Sequence, residues 1–198
     1  MPKITKKQPG VCAAVRTVGV IKPTFDTNKR DFLPPKLEVL GTGFWIKDKN
    51  VFITCAHVVQ NILGAQIEIS GMLVVGGNGV EYKKALIRCI DFEHDLAVLA
   101  VEADNEYIKA QNIVGLEINN DKIEVGEKVS YAGYPFGMLM VNQKHSPTYI
   151  EGVVGQEMID LTGPKLIQIS GPVIGGYSGA PVVLQESGKV IGVVSSSP

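Results

Sequence analysis

Cysteine, aromatic residues and net charge are all scarce in this chain. Of its 198 residues only three are cysteines, Cys12, Cys55 and Cys89. The number is odd, and no CxxC pair or Cys/His cluster at metal-ligand spacing accompanies them, which argues against a disulfide scaffold or a structural zinc site. We read them as three buried, reduced thiols, with one disulfide plus a free thiol as the alternative. Lys and Arg total 19 against 20 Asp and Glu, for a net charge of −1. That balance gives no bulk attraction to a polyanion or an anionic membrane surface, so neither nucleic acid nor membrane is expected as a partner. No apolar run approaches the roughly 18 residues that a membrane span needs. The opening MPKITKKQPG is basic but lacks an apolar stretch behind it, so it does not read as a secretory signal. The expectation is a soluble, cytoplasmic protein.

What is present is ordinary for a globular chain: 45% hydrophobic and 20% charged residues. The length suffices for one large domain or two small ones. Short β-rich runs alternate with Gly, Pro and Asn. Strands are expected over Val11–Ile21, Leu37–Ile46, Val51–Thr54, Ala65–Val75, Lys84–Ile90 and Leu96–Val101. A polar connection, Asp104–Asn120, leads to a second set: Lys128–Gly133, Tyr149–Gln156, Lys165–Ser170, Ala180–Leu184 and Val190–Ser195. Ala56–Ile62 and part of the connection are short helical candidates. Many short strands with Gly-rich turns define an all-β protein, and two groups of strands around a linker fit two small barrels. The halves are expected at 1–110 and 111–198.

Three segments carry chemistry. The first is Gly41-Thr-Gly-Phe-Trp-Ile followed by Val51-Phe-Ile-Thr-Cys-Ala-His57-Val-Val. The second is Asp95-Leu-Ala-Val-Leu99. The third is Gly175-Gly-Tyr-Ser178-Gly-Ala-Pro181. A serine hydroxyl is a poor nucleophile until a base removes its proton during attack. An imidazole can do this near neutral pH. A carboxylate fixes its tautomer and stabilises the imidazolium. The oxyanion that develops needs backbone N–H donors. Gly175, Gly176 and Gly179 frame Ser178, and glycine permits the backbone angles that turn successive amides into one hole. The donors are assigned to the amides of Gly176 and Ser178, with His57 as base, Asp95 as orienting carboxylate and Ser178 as nucleophile.

These segments resemble the trypsin-like (chymotrypsin-fold) serine peptidases, and within them the HtrA/Deg-like branch. The resemblance covers about residues 11–197 and rests on five stretches in order: GTGFWI…VFITCAHVV, HDLAVLAVE, VGEKVSYAGYPFG, IEGVVG and GGYSGAPVVLQESGKVIGVVSS. It implies two perpendicular six-stranded antiparallel β-barrels with the active site in the cleft between them, His57 and Asp95 on the first and Ser178 on the second. It implies a polypeptide substrate and no metal or organic cofactor. It leaves the oligomeric state open, because no trimer-forming segment is recognisable in residues 1–10. It also places substrate-binding residues at Pro172, six positions before the nucleophile, and on the strand after it, at Val193, Val194, Ser195 and Ser196. Two positions depart from the pattern. Tyr177 stands where trypsins have Asp and HtrA proteins usually have Asn, and Ala180 replaces a second Gly.

Other residues invite blander readings. His94 is a non-catalytic neighbour of Asp95. His145 lies in a polar stretch, Asn142–Thr148, read as a mobile loop. Asp91 competes with Asp95 but lacks the D-L-A-V-L context. Trp45 reads as packing. Ser195, Ser196 and Ser197 lack flanking glycines and are expected to pair backbone with an extended substrate. The rival readings are a catalytically silent domain of this type that binds peptides or proteins, a structural or assembly protein, and a viral chymotrypsin-like processing peptidase.

Overall fold

The computed structural model describes residues 10–47, 51–64, 72–77, 81–110, 112–135, 146–159 and 165–195. Eleven strands and three short helices occupy them. Six strands close the first barrel: β1 (Val15–Asp26), β2 (Asp31–Ile46), β3 (Val51–Thr54), β4 (Met72–Gly77), β5 (Glu81–Asp91) and β6 (Leu96–Val101), in the order β1-β2-β3-β6-β5-β4. Five more form the second sheet: β7 (Lys128–Gly133), β8 (Thr148–Ile159), β9 (Lys165–Ile169), β10 (Pro181–Leu184) and β11 (Val190–Val193), in the order β11-β10-β7-β8-β9. All strand pairs within these sheets are antiparallel.

The two-barrel expectation therefore holds in kind, with one correction of count. The second barrel has five strands among the described residues and stays open between its edge strands β9 and β11. Single strands were legible where one face meets the core and the other does not. Leu96–Val101 alternates between half-buried and buried along its length, as does Val51–Thr54. Val11–Ile21 was expected as one strand, but Gly10–Ala14 forms a helical turn, α1, ahead of β1. Its run of Val, Cys and Ala has no period-2 alternation and is buried on several sides. The helix expected over Ala56–Ile62 is α2 (Ala56–Gly64), and a further turn, α3 (Asn105–Ala110), lies inside the polar connection. Residues 65–71, the start of an expected strand, lie outside the described residues.

Three apolar clusters hold these parts. Val18, Trp45, Phe52, Val59, Val75 and Leu99 fill the first barrel, where Trp45 and Phe52 meet edge to face at 5.4 Å. Tyr131, Val154, Tyr177, Val182 and Val194 fill the second. The third cluster joins them: Val11, Cys12 and Ala14 from α1 pack with Phe44, Leu116, Ala132, Tyr134 and Val183. Tyr134 is drawn so deeply into this seam that burial pushes its phenol up to about 12. The seam explains why the first six residues of β1 and all of β10 are buried without alternation: both of their faces are covered. Cys12 and Cys55 are buried free thiols, whereas Cys89, expected to be buried, is exposed. Its β5 neighbours face solvent too, since Leu86 is 48% exposed.

Candidate active site

Strand β3 ends at Thr54, and α2 begins two residues later, which sets His57 in the first turn of a helix at the barrel rim. Asp95 occupies the turn before β6 in a left-handed conformation, φ 52°. Few non-glycine residues adopt it, Asp among the more tolerant, and such geometry persists where surroundings fix it. Here the surroundings are His57 and Ser195. The Asp95 Oδ1 accepts the His57 backbone N–H at 2.9 Å, and Oδ2 lies 2.7 Å from His57 Nδ1. The Ser195 hydroxyl donates to the same Oδ2 at 2.7 Å. Asp95 O also accepts the Ala56 amide at 3.1 Å. Burial alone would raise the Asp95 carboxyl, but the bonds from the Ser195 hydroxyl, the His57 amide and the His57 ring outweigh it and hold it below the usual aspartate range. The carboxylate form is thereby favoured beside the imidazole.

Ser178 sits on the other barrel and is buried. Its loop is moulded to the first barrel at several points. Thr42 N donates to Ser178 O at 2.9 Å. Thr42 Oγ1 donates to Gly176 O at 2.6 Å and accepts the Tyr134 amide at 3.0 Å. Gly176 has φ +102°, and a Cβ there would lie 2.2 Å from Tyr134 O; Gly179 has φ +89°, and a Cβ would lie 2.0 Å from Thr42 O. Both positions therefore require glycine. Tyr177 turns inward, 1% exposed, and stacks edge to face on Tyr131 at 5.6 Å. The Tyr131 hydroxyl in turn donates to Pro172 O at 2.8 Å.

One carbonyl ties the two halves together. Val194 O accepts both the Gly179 amide at 2.9 Å and the Cys55 thiol at 3.3 Å. These donors are one residue from Ser178 and two from His57. Gly41 lies between the same parts, since a Cβ on it would be 2.8 Å from Val58 Cγ2 and 2.9 Å from Ser178 O. The neighbours of His57, Asp95 and Ser178 thus converge on Val194-Ser195.

The remaining expected site residues spread around a cavity of about 330 Å³ beside Asp95. Val193, Val194 and Ser195 line it with Ile191 and with Ile167 and Ile169 of β9. Val173 also lines it, while Pro172 is exposed and offers its carbonyl to Tyr131. Ser196 and His145 lie outside the described residues. The Ser195 hydroxyl, expected only alongside substrate, reaches Asp95. That bond and the Thr42 clamp were missed by sequence reasoning, because each joins residues about a hundred or more positions apart. His94 and Asp91 form their own exposed pair, Nδ1 to Oδ2 at 2.8 Å, apart from His57. No helix among the described residues is long and apolar enough to cross a membrane.

Fold and site together define a two-barrel β protein with a hydrogen-bonded His–Asp pair on the first barrel and a glycine-framed serine on the second. The trypsin-like peptidase domain family matches residues 41–193, and the chain belongs to it. It is 33% identical over 162 residues to a probable periplasmic serine endoprotease, DegP-like, of Halomonas elongata, covering 79% of this chain and 29% of that protein. It is 30% identical over 162 residues to the human serine protease HTRA4, covering 78% of this chain and 30% of the relative. The chain spans less than a third of the length of these relatives. Among solved structures, the HtrA-type protease AlgW with a decapeptide aligns with TM-score 0.71 at 20% identity, over 93% of this chain and 56% of that one. Deg5 aligns with TM-score 0.66 at 19% identity, over 94% and 80%. The expectation of a cytoplasmic protein is overturned. The DegP-like relatives of Halomonas elongata, Rhizobium meliloti and Chlamydia pneumoniae are named periplasmic, which points outside the cytoplasm.

Proposed function

We propose that this chain is a serine endopeptidase, working outside the cytoplasm, that cuts extended polypeptide by acyl transfer through Ser178. The observation that carries the reading is the three-bonded Asp95 carboxylate, fixed by the His57 amide, the His57 ring and the Ser195 hydroxyl. A carboxylate held this way keeps the imidazole proton on Nδ1 and leaves Nε2 as an acceptor. His57 takes the Ser178 proton as Oγ attacks the scissile carbonyl, and later hands it to the leaving amine. Asp95 stays ionised and stabilises the imidazolium. The amides of Gly176 and Ser178 receive the oxyanion. The first half, 1–110, brings the base and its carboxylate; the second, 111–198, brings the nucleophile and its donors.

The substrate backbone runs beside Val193, Val194 and Ser195, and its acyl-side residue enters the apolar cavity near Val173. The polypeptide substrate is supported by the names of the relatives, which are endoproteases, and by a neighbour solved with a decapeptide. Hydrolysis of an unfolded polypeptide by the purified chain tests the proposal. Wild type is expected to digest it and Ser178→Ala to lose the activity by a factor on the order of 10⁴ or more. Equal digestion by both would refute it.

A further inference from the structure

Beneath His57 lies a thiol that the proposed chemistry does not use. Cys55 is fully buried and is two residues from His57 in sequence. Its Sγ, a ring nitrogen of His57 and an Asp95 carboxylate oxygen all lie within 4.8 Å of one another, and Nδ1 is the ring nitrogen turned to the carboxylate, 2.7 Å from Oδ2. Three different donor types therefore converge on one point: a sulfur, an imidazole nitrogen and a carboxylate oxygen. This is a donor set for zinc or cadmium and not for magnesium or calcium, which require oxygen ligands. From Zn–S and Zn–N bonds of about 2.3 and 2.05 Å, a tetrahedral ion needs its S and N donors about 3.5 Å apart. The site has an entry path, since the His57 and Asp95 side chains are 34% and 24% exposed.

We propose that Cys55, His57 and Asp95 form an inhibitory site for a soft divalent cation, Zn²⁺ or Cd²⁺, which switches the peptidase off. Binding breaks the Cys55 S–H bond and forms an Sγ–metal bond, and the thiol proton goes to solvent. The ion takes the lone pair of His57 Nδ1 as that nitrogen gives up its proton, and the neutral ring carries its one proton on Nε2. Nothing is oxidised or reduced. The consequence follows from the tautomer. An Nε2 that already bears a proton cannot accept one from Ser178. The same ion also replaces the Nδ1–H bond to Asp95 that orients the ring. Silencing rests on the proposed peptidase function; the binding does not.

Binding is read directly with Cd²⁺ on the full chain, by its ultraviolet thiolate-to-cadmium charge-transfer band. A Cys89→Ser background removes the one exposed thiol. The expected result is a band with one-to-one stoichiometry, lost in Cys55→Ser and in Cys55→Ala. His57→Gln should weaken the affinity by more than about tenfold, as loss of a ligand or its support does. A band unchanged by the Cys55 substitutions, or by His57→Gln, would overturn the three-donor site. In parallel, each protein's peptidase rate is measured with and without Zn²⁺, relative to its own chelator-treated value. Wild type should be inhibited and recover with EDTA, Cys55→Ser should resist by more than about tenfold, and Mg²⁺ should do nothing. Equal inhibition of wild type and Cys55→Ser, or a wild-type rate unchanged by bound metal, would overturn the switch. If chelator-treated wild type cleaves nothing, the peptidase reading has failed instead, and the cadmium band still decides the site.

Discussion

The Thr42 hydroxyl reaches across the barrel interface to the carbonyl of Gly176 at 2.6 Å, joining residues 134 positions apart. The same oxygen accepts the Tyr134 amide. One small side chain thus holds both the loop that precedes Ser178 and the strand end behind it. Thr42→Val keeps the shape and removes the hydroxyl, leaving a buried N–H and a C=O without that partner. The expected cost is about 1–3 kcal/mol of stability, with a lowered kcat from a displaced loop. Chemical denaturation with parallel turnover measurements checks this. Wild-type stability in the Val variant would mean that the clamp contributes nothing.

Gly176→Ala meets a harder obstacle. The residue has φ +102°, and its new Cβ would lie 2.2 Å from Tyr134 O. The loop must move, and the proposed oxyanion donors move with it. Loss of one such donor costs about 10²–10³ in kcat, so at least that loss is expected while the protein still folds. Gly175→Ala is the control, because a Cβ there meets nothing within 4 Å. Comparable kinetics for the two variants would rule out the assigned hole.

How much of this was readable beforehand depends on how far apart the cooperating residues lie. His57, Asp95 and Ser178 each sit in a short contiguous segment whose neighbours announce a rim, a turn or a glycine-framed loop. The His57–Asp95 bond could be anticipated from that chemistry. Thr42 and Ser195 carry no local signal of their own: a threonine between two glycines and a serine at a strand end fit many roles. Their partners are chosen by the packing of one barrel on the other. Strands with one wet face, such as Leu96–Val101, were legible to the residue. Gly10–Ala14 was not, since a short apolar run buried on several sides does not distinguish helix from strand. The opening between β9 and β11 was equally hidden, because strand count does not reveal which edges meet.

The Ser195–Asp95 bond predicts a pH signature. The folded-state value of Asp95 is depressed, so its stabilisation is present above the unfolded-state value and is lost as pH falls through the folded one. Ser195→Ala removes a donor to the carboxylate and brings that value back up. At pH 7 the variant should be less stable by about 1.5 kcal/mol, the low end for a hydrogen bond to a charged group, since this bond is exposed. The difference should shrink as both proteins approach pH 3. Denaturant unfolding at the two pH values checks it, and a gap that stays constant would mean that Ser195 does not act through the carboxylate.

The cavity predicts what is cut. Its described lining contains Val173, Ile191, Val193 and Val194 with Lys165 and His94, and no carboxylate. A Lys or Arg side chain would enter without a counter-ion, at a cost of roughly several kcal/mol. A Val- or Leu-sized group gains about 1.5–3 kcal/mol by burial. Cleavage is therefore expected after Val, Ala or Ile. A peptide-library digest dominated by cuts after Lys or Arg would contradict this.

The most direct measurement is covalent labelling with a fluorophosphonate, followed by mass spectrometry of the modified peptide. Only a serine activated by an adjacent base, with its oxyanion donors in place, reacts readily with such a probe. One adduct is expected, on Ser178, abolished in Ser178→Ala and strongly slowed in His57→Ala. Labelling at Ser195 or another serine, or none at Ser178 in folded wild-type protein, would contradict it.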